Sequence, residues 1–220
     1  MNKSQRPLLY VILGLFIVLA GVLTWTFFFQ STSFFHAGTH PTIAVPAGPD
    51  PVLPPIRPED PSAGSQDPSA ITIVEYADFT CLYCRASQNE VAQVLSENPN
   101  IHYVWRDFPI ASDNPSALLA SMAGRCAKDQ GKFWEMHDAL FQADKITIDS
   151  LQTSARELGL NENTFSSCLT TSKYLQNIQD DIVIARNHNI NSAPTFFIGD
   201  QVIQGYATAA DLRWALLLAK

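Results

Sequence analysis

The stretch Ile71–Arg85, ITIVEYADFTCLYCR, limits what this chain can fold into more than any other. Ile71, Ile73 and Glu75 alternate with Thr72, Val74 and Tyr76, which predicts an extended strand with two distinct faces. Ala77-Asp78-Phe79-Thr80 breaks the alternation. Behind Cys84, the residues Val91, Val94 and Leu95 recur at helical spacing, so the chain passes directly from a strand into a helix whose first turn carries Cys81 and Cys84. Residues three apart on a helix have Cβ atoms roughly 5–6 Å apart, which modest adjustment closes into a disulfide. That turn also offers unpaired backbone N–H groups and the positive end of the helix dipole. Both favour Cys81 as a thiolate, the species that attacks or leaves in thiol–disulfide exchange. Cys84 lies one turn deeper, on the face continued by Val91 and Leu95, and is the shielded partner. Thr80 is the expected N-cap. A Cys-x-x-Cys presented in this way is a redox device.

The remainder of the 220 residues, 46% of them hydrophobic, leaves room for one globular core and something more. Lys3 and Arg6 precede a charge-free run over residues 7–29. As a helix this run would span about 34 Å, against a hydrocarbon core of ~30 Å. Trp25 and Phe27–Phe29 would form an interfacial aromatic belt at its far end. With the positive residues 1–6 held in the cytoplasm, everything after the run faces the other side. A cleaved secretory signal is the competing reading, with an apolar region of ~7–15 residues followed by small residues. This run is longer and ends in bulky aromatics, so an uncleaved anchor is expected. A buried core helix is the third alternative.

Residues 30–69 hold nine of the fourteen prolines, mixed with Gly, Ser and Ala and without hydrophobic periodicity. Such sequence favours extended polyproline II, and it reads as a linker reaching at most ~120 Å. The Pro55-Ile56-Arg57-Pro58 run is only a weak PxxP match. Beyond Lys3 and Arg6 the chain has 12 basic against 21 acidic residues, a net −9 that argues against nucleic acid as a partner.

Residues 70–220 read as one domain. A second strand is expected over Ile101–Trp105. Helices are expected from Pro115 to Lys128, Phe133 to Gln142, Asp149 to Leu158 (ended by Gly159), Glu162 to Leu169 and Tyr174 to Asn187. Thr195–Ile198 and Gln201–Gln204 flank Gly199-Asp200 as a hairpin. Thr208 opens a last helix, with Asp211 completing an approximate capping box.

A strand ending in Cys81-Leu82-Tyr83-Cys84, a helical block, and then Ala193-Pro194-Thr195 leading into a hairpin and a terminal helix resembles the DsbA-type branch of the thioredoxin fold. Gln130-Gly131-Lys132-Phe133-Trp134, His137-Asp138, Leu140-Phe141, Cys168-Leu169 and Pro194-Thr195-Phe196-Phe197-Ile198 carry the likeness through residues 71–220. The resemblance implies an α/β thioredoxin core with an inserted helical domain over about residues 112–189, preceded here by the anchor and the Pro-rich linker. It implies thiol–disulfide exchange on exported proteins with reduced or mispaired cysteines. Cys81 then matches the exposed nucleophile and Cys84 the resolving cysteine. Pro194 matches a cis-proline facing them, the alternative being a trans proline that opens a strand. Ala193 and Thr195 would hold substrate by backbone hydrogen bonds, with Leu82 and Tyr83 beside it. Glu75 stands where the wider superfamily often has a buried acid exchanging protons with the inner cysteine; a satisfied or rim-exposed glutamate is the other reading.

Departures from the family pattern matter. Leu82 and Tyr83 replace the proline and histidine common in oxidising members, so the preferred redox direction stays open. Asp113-Asn114-Pro115 lacks a histidine often seen before that proline. An even cysteine count in an exported domain favours pairing, and family members with a second pair in the helical block imply Cys126–Cys168. Two buried reduced thiols are the alternative. His102, His137 and His188 are scattered singly, which gives no metal site, and no cofactor is expected.

The sequence therefore predicts a membrane-anchored oxidase of exported thiols, recharged by a quinone-linked membrane partner. A reductase or isomerase fed by a membrane electron donor, and a non-catalytic tethered binding module, are the alternatives.

Overall fold

The computed structural model describes residues 54–109 and 114–219. The expected cytoplasmic tip, the anchor over 7–29 and most of the linker lie outside the described residues, as does Asp113. Among the described residues no helix is long and apolar enough to cross a membrane.

Among the described residues five strands form one mixed sheet in the order β1-β3-β2-β4-β5: β1 Ser62–Gly64, β2 Ile71–Ala77, β3 Ile101–Asp107, β4 Thr195–Ile198 and β5 Gln201–Gln204. Helix α1, Leu82–Glu97, is the crossover that makes β2 and β3 parallel, with Glu75 opposite Trp105. The β4–β5 hairpin lies antiparallel to β2, with Thr195 opposite Tyr76. Between β3 and β4 come α2 Pro115–Lys128, α3 Phe133–Gln142, α4 Ile148–Glu157, α5 Glu162–Thr170 and α6 Leu175–Asn187; α7 Ala209–Leu218 closes the chain.

The period-two alternation of the central strands puts a core on each face of the sheet. Ile73, Tyr103, Phe196 and Ile198 pack with Val91 and Val94 of α1 and with Leu212 and Ala215 of α7. Val74, Tyr76, Val104 and Phe197 face the helical block, among Ala120, Ala123, Phe133 and Met136. Phe79, in the turn before the cysteines, stacks on Trp105 with ring centroids 4.7 Å apart. That aromatic contact fixes the turn to the core.

One expectation is corrected. The sequence predicts a linker to residue 69, yet the segment from residue 54 onward belongs to the fold. β1 pairs antiparallel with β3, and Trp105 N–H donates to Pro61 O at 2.9 Å. At Gly64, with φ +80°, an added Cβ would lie 2.2 Å from Ile101 O, so only glycine lets this short strand approach β3. Arg57 and Asp60 join a buried charge cluster with Arg106, Asp107, Arg125 and Asp181. Ionic and backbone bonds hold this strap, not an apolar stripe, so periodicity does not reveal it.

Candidate active site

The site begins where β2 ends. Asp78 Oδ1 accepts from both the N–H and the hydroxyl of Thr80, each at 2.7 Å, in a turn that redirects the chain into α1. Thr80 is therefore not the N-cap. Its hydroxyl donates to Asp78 and accepts from Asn114 Nδ2 at 3.2 Å, and Cys81 takes the capping position instead. In that position Cys81 Sγ accepts the Cys84 N–H at 3.2 Å. A sulfur thus occupies the place usually filled by a side-chain oxygen, facing the N–H groups of the first turn.

Cys81 and Cys84 are both free thiols in distinct surroundings. Cys81 is half-buried, and Cys84 is wholly buried and accepts Asp78 N–H at 3.5 Å. Bonds from the Cys84 side chain, and from the Cys84 and Tyr83 N–H groups, bring the Cys81 thiol down to about 7 against the opposing effect of burial. Burial first, then the bond to Cys81, pushes the Cys84 thiol far up. The two sulfurs are so divided into one readily ionised and one held protonated.

The loop before β4 comes up beside them. The Ala193–Pro194 peptide bond is cis, and the Cys81 thiol donates to Ala193 O at 3.4 Å. Pro194 O accepts Gly205 N–H at 2.7 Å, which ties the loop to the end of the hairpin. Thr195 is fully buried, and its hydroxyl donates to Ser192 O at 2.7 Å, so its side chain braces the loop and offers nothing to a bound peptide. Leu82 and Tyr83 are 77% and 67% exposed, an apolar rim beside Cys81.

Glu75 lies beneath α1 with no solvent exposure. Tyr103 OH donates to Oε2 and Gln88 Nε2 to Oε1, the latter at 3.1 Å. Burial outweighs both bonds and pushes the carboxyl up to about 7. Sequence reasoning did not find Gln88 and Tyr103. The available signal was Gln88 lying four residues after Cys84 on the same helix; Tyr103 needs the β2–β3 register.

Away from this site, Cys126 and Cys168 form a disulfide between α2 and α5, with Cα atoms 5.8 Å apart. Among the described residues no cluster of His, Cys, Asp and Glu is arranged to hold a metal ion.

A family model described as thioredoxin matches residues 57–216. The solved structure of a thioredoxin-like oxidoreductase from Silicibacter pomeroyi DSS-3 is similar, with a TM-score of 0.67 and 26% identity, covering 74% of this chain and 92% of that one. The thiol–disulfide exchange protein alpha-DsbA2 from Wolbachia pipientis shares the fold, with a TM-score of 0.65 and 23% identity over 73% of this chain and 87% of its own. BdbD from Bacillus subtilis shares it at 0.65 and 18% identity, covering 73% and 92%. Among curated proteins, the Na(+)/H(+) antiporter NhaA 3 of Salinispora tropica is 32% identical over 145 residues, 66% of this chain and 22% of the antiporter. NhaA 1 of Mycobacterium sp. strain KMS is 34% identical over 176 residues, 76% of this chain and 29% of that protein. The chain thus spans less than a third of the length of these curated relatives.

Proposed function

The chain belongs to the thioredoxin family, with the fold of its DsbA-like members, and from this premise we propose that it is an extracytoplasmic thiol–disulfide oxidoreductase introducing disulfide bonds into exported proteins. The observation that carries the proposal is Cys81 Sγ at the helix N-cap, held by the Cys84 N–H and facing Ala193 O of the cis-proline loop. Catalysis runs through Cys81 and Cys84. A substrate thiolate attacks the Cys81 sulfur of the oxidised pair, and Cys84 leaves with the bonding electrons. The second substrate cysteine attacks the mixed disulfide, Cys81 leaves as a thiolate, and the substrate disulfide is complete. Stabilising that thiolate stabilises the reduced enzyme, which drives the exchange towards substrate oxidation.

The backbone of Ala193 binds the extended substrate beside the sulfurs, Thr195 being buried between β2 and β5 behind it, and Leu82 and Tyr83 supply the apolar rim. The run over 7–29 anchors the domain near a membrane redox partner, a quinone-linked oxidase that restores the disulfide. The Cys126–Cys168 bond supports an oxidising compartment, where structural disulfides persist.

One observation favours a second reading. Cys81 is lowered only to about 7, near thioredoxin and well above the ~3.5 of a strong oxidant. A reductase or isomerase, kept reduced by a membrane electron donor, fits that value. Equilibration of the chain with glutathione, with mass-spectrometric mapping of all four cysteines, separates the two. A Cys81–Cys84 potential near about −120 mV supports the oxidase, and one near about −270 mV supports the reductase. Loss of insulin reduction and refolding activity in Cys81→Ser is expected under both; indifference to that substitution removes the enzyme reading.

A further inference from the structure

Between α1 and α3 the surface opens into a groove of about 510 Å³, lined among others by Arg85, Gln88, Tyr103, Trp134, His137 and Asp138. Two of these residues, Gln88 and Tyr103, are also the hydrogen-bond donors to the two carboxyl oxygens of Glu75. Gln88 Nε2 reaches Cys84 O as well, at 3.2 Å, so one amide joins the carboxyl group to the turn that carries the inner cysteine. Glu75 itself has no exposed surface, and its charge contributes to holding the Cys84 thiol protonated. Its contact with solvent therefore passes through these two partners.

We propose that Gln88 and Tyr103 are positioning residues for thiol–disulfide exchange, holding the Glu75 carboxyl against the Cys84 turn and opening it to proton exchange through the groove between α1 and α3. The inference rests on the exchange activity proposed above. When a substrate thiolate attacks Cys81, the Cys81–substrate S–S bond forms, the Cys81–Cys84 bond breaks, and Cys84 departs with the electron pair. Glu75 gives it a proton and becomes a carboxylate, which recovers a proton from water in the groove. In the reverse step the carboxylate takes the Cys84 proton, the Cys84 thiolate attacks Cys81, and the substrate leaves as a thiolate. Both donors favour the ionised carboxyl, so together they set the pH at which it can accept that proton.

The groups that act on Glu75 are few. Cys81 at the N-cap of α1 and Cys84 within it act on it by charge, Gln88 of α1 and Tyr103 of β3 by hydrogen bonds, while its β4 neighbour Phe196 is apolar. Asp138 of α3 acts on Tyr103 from the groove side, where Arg85 and His137 also lie.

In the test, the full-length chain is loaded at Cys81 with glutathione at acid pH and brought by rapid mixing to higher pH, and release of glutathione by Cys84 is timed. The wild-type rate is expected to rise with a midpoint near 7, following Glu75. Tyr103→Phe removes one hydrogen bond to the carboxylate, so the midpoint moves up by about one unit and release below it slows about tenfold. Gln88→Leu moves it in the same direction, and the double variant moves it further. Should Tyr103→Phe fail to fold, the half-buried Gln88 of α1 carries the test alone. A midpoint that stays in place, or a uniform slowing at every pH, marks a structural role and overturns the proposal. A wild-type chain that never exchanges with glutathione instead overturns the oxidoreductase reading beneath it.

Discussion

Asp181 Oδ2 accepts from Arg125 Nη2 at 2.7 Å where neither side chain reaches solvent. The other Asp181 oxygen accepts from Arg106 Nη1 at 3.1 Å and is also bonded by Arg57. Asp107 and Asp60 complete the set, at 2.6 Å from Arg125 and Arg106 respectively. Three cations and three anions thus tie the strap, β3, α2 and α6 together. Such a cluster is balanced only while every member is present. Asp181→Ala leaves two buried guanidinium groups short of an anion and is expected to lose about 3–5 kcal/mol of stability. Urea unfolding checks this; a loss under about 1 kcal/mol would mean that water enters and replaces the carboxylate.

The Cys126–Cys168 bond closes a loop with a sequence separation of 42 between α2 and α5. On the chain-entropy account, a loop of this length contributes about 4 kcal/mol by restricting the unfolded chain. Replacing both cysteines by alanine is expected to remove most of that and to lower the thermal midpoint. Cys81 alkylation in the folded variant should keep its wild-type pH dependence, since the bond lies outside the exchange site. Calorimetry beside an alkylation curve measures both.

Glu75 makes stability depend on pH in an unusual sense. Its folded pKa is about 7 and its ordinary value 4.5, so between these the native state holds a proton that the unfolded chain has lost. Stability contributed by the protonated form is full below the ordinary value and falls as pH rises towards 7. The loss is about 3 kcal/mol across that window. Glu75→Gln cannot ionise and should remove this part of the slope, leaving below about pH 6 the share of Asp181, whose carboxyl burial also pushes up to about 6. Urea midpoints at about pH 5 and pH 7 in both proteins test it, because Cys81 contributes mainly above that range.

Much of this fold is legible because its elements carry their own punctuation. Pro115 at the first turn of α2, the Thr208–Asp211 capping box of α7 and the Gly199-Asp200 turn each act within a few residues, and those boundaries follow from the sequence. What escaped depends on residues far apart. β1 exists because Gly64 can approach Ile101, and nothing around Ser62 shows that. Thr80 looks like a cap until Asp78 claims its hydroxyl. Asp181 sits among Ile178, Ile182 and Ala185 on the inner side of α6, where periodicity favours an apolar residue; its partners come from three other segments. At the site, the cysteine spacing announces the chemistry, whereas the donors to Glu75 need the register of β2 against β3.

The last prediction concerns which neighbour makes Cys81 acidic. The Cys84 side chain is the largest influence lowering it, ahead of the first-turn N–H groups, and burial opposes both. Alkylation of the reduced chain with iodoacetamide should give a midpoint of about 7 for Cys81. Cys84→Ala removes the thiol donor and keeps the backbone N–H at that position. The midpoint should then climb roughly one unit towards the free-thiol value of about 8.5, with about tenfold less thiolate at mildly acid pH. Cys84→Ser retains a hydroxyl that can donate and should stay nearer the wild type. A midpoint unmoved in Cys84→Ala would assign the stabilisation to the helix N–H groups alone.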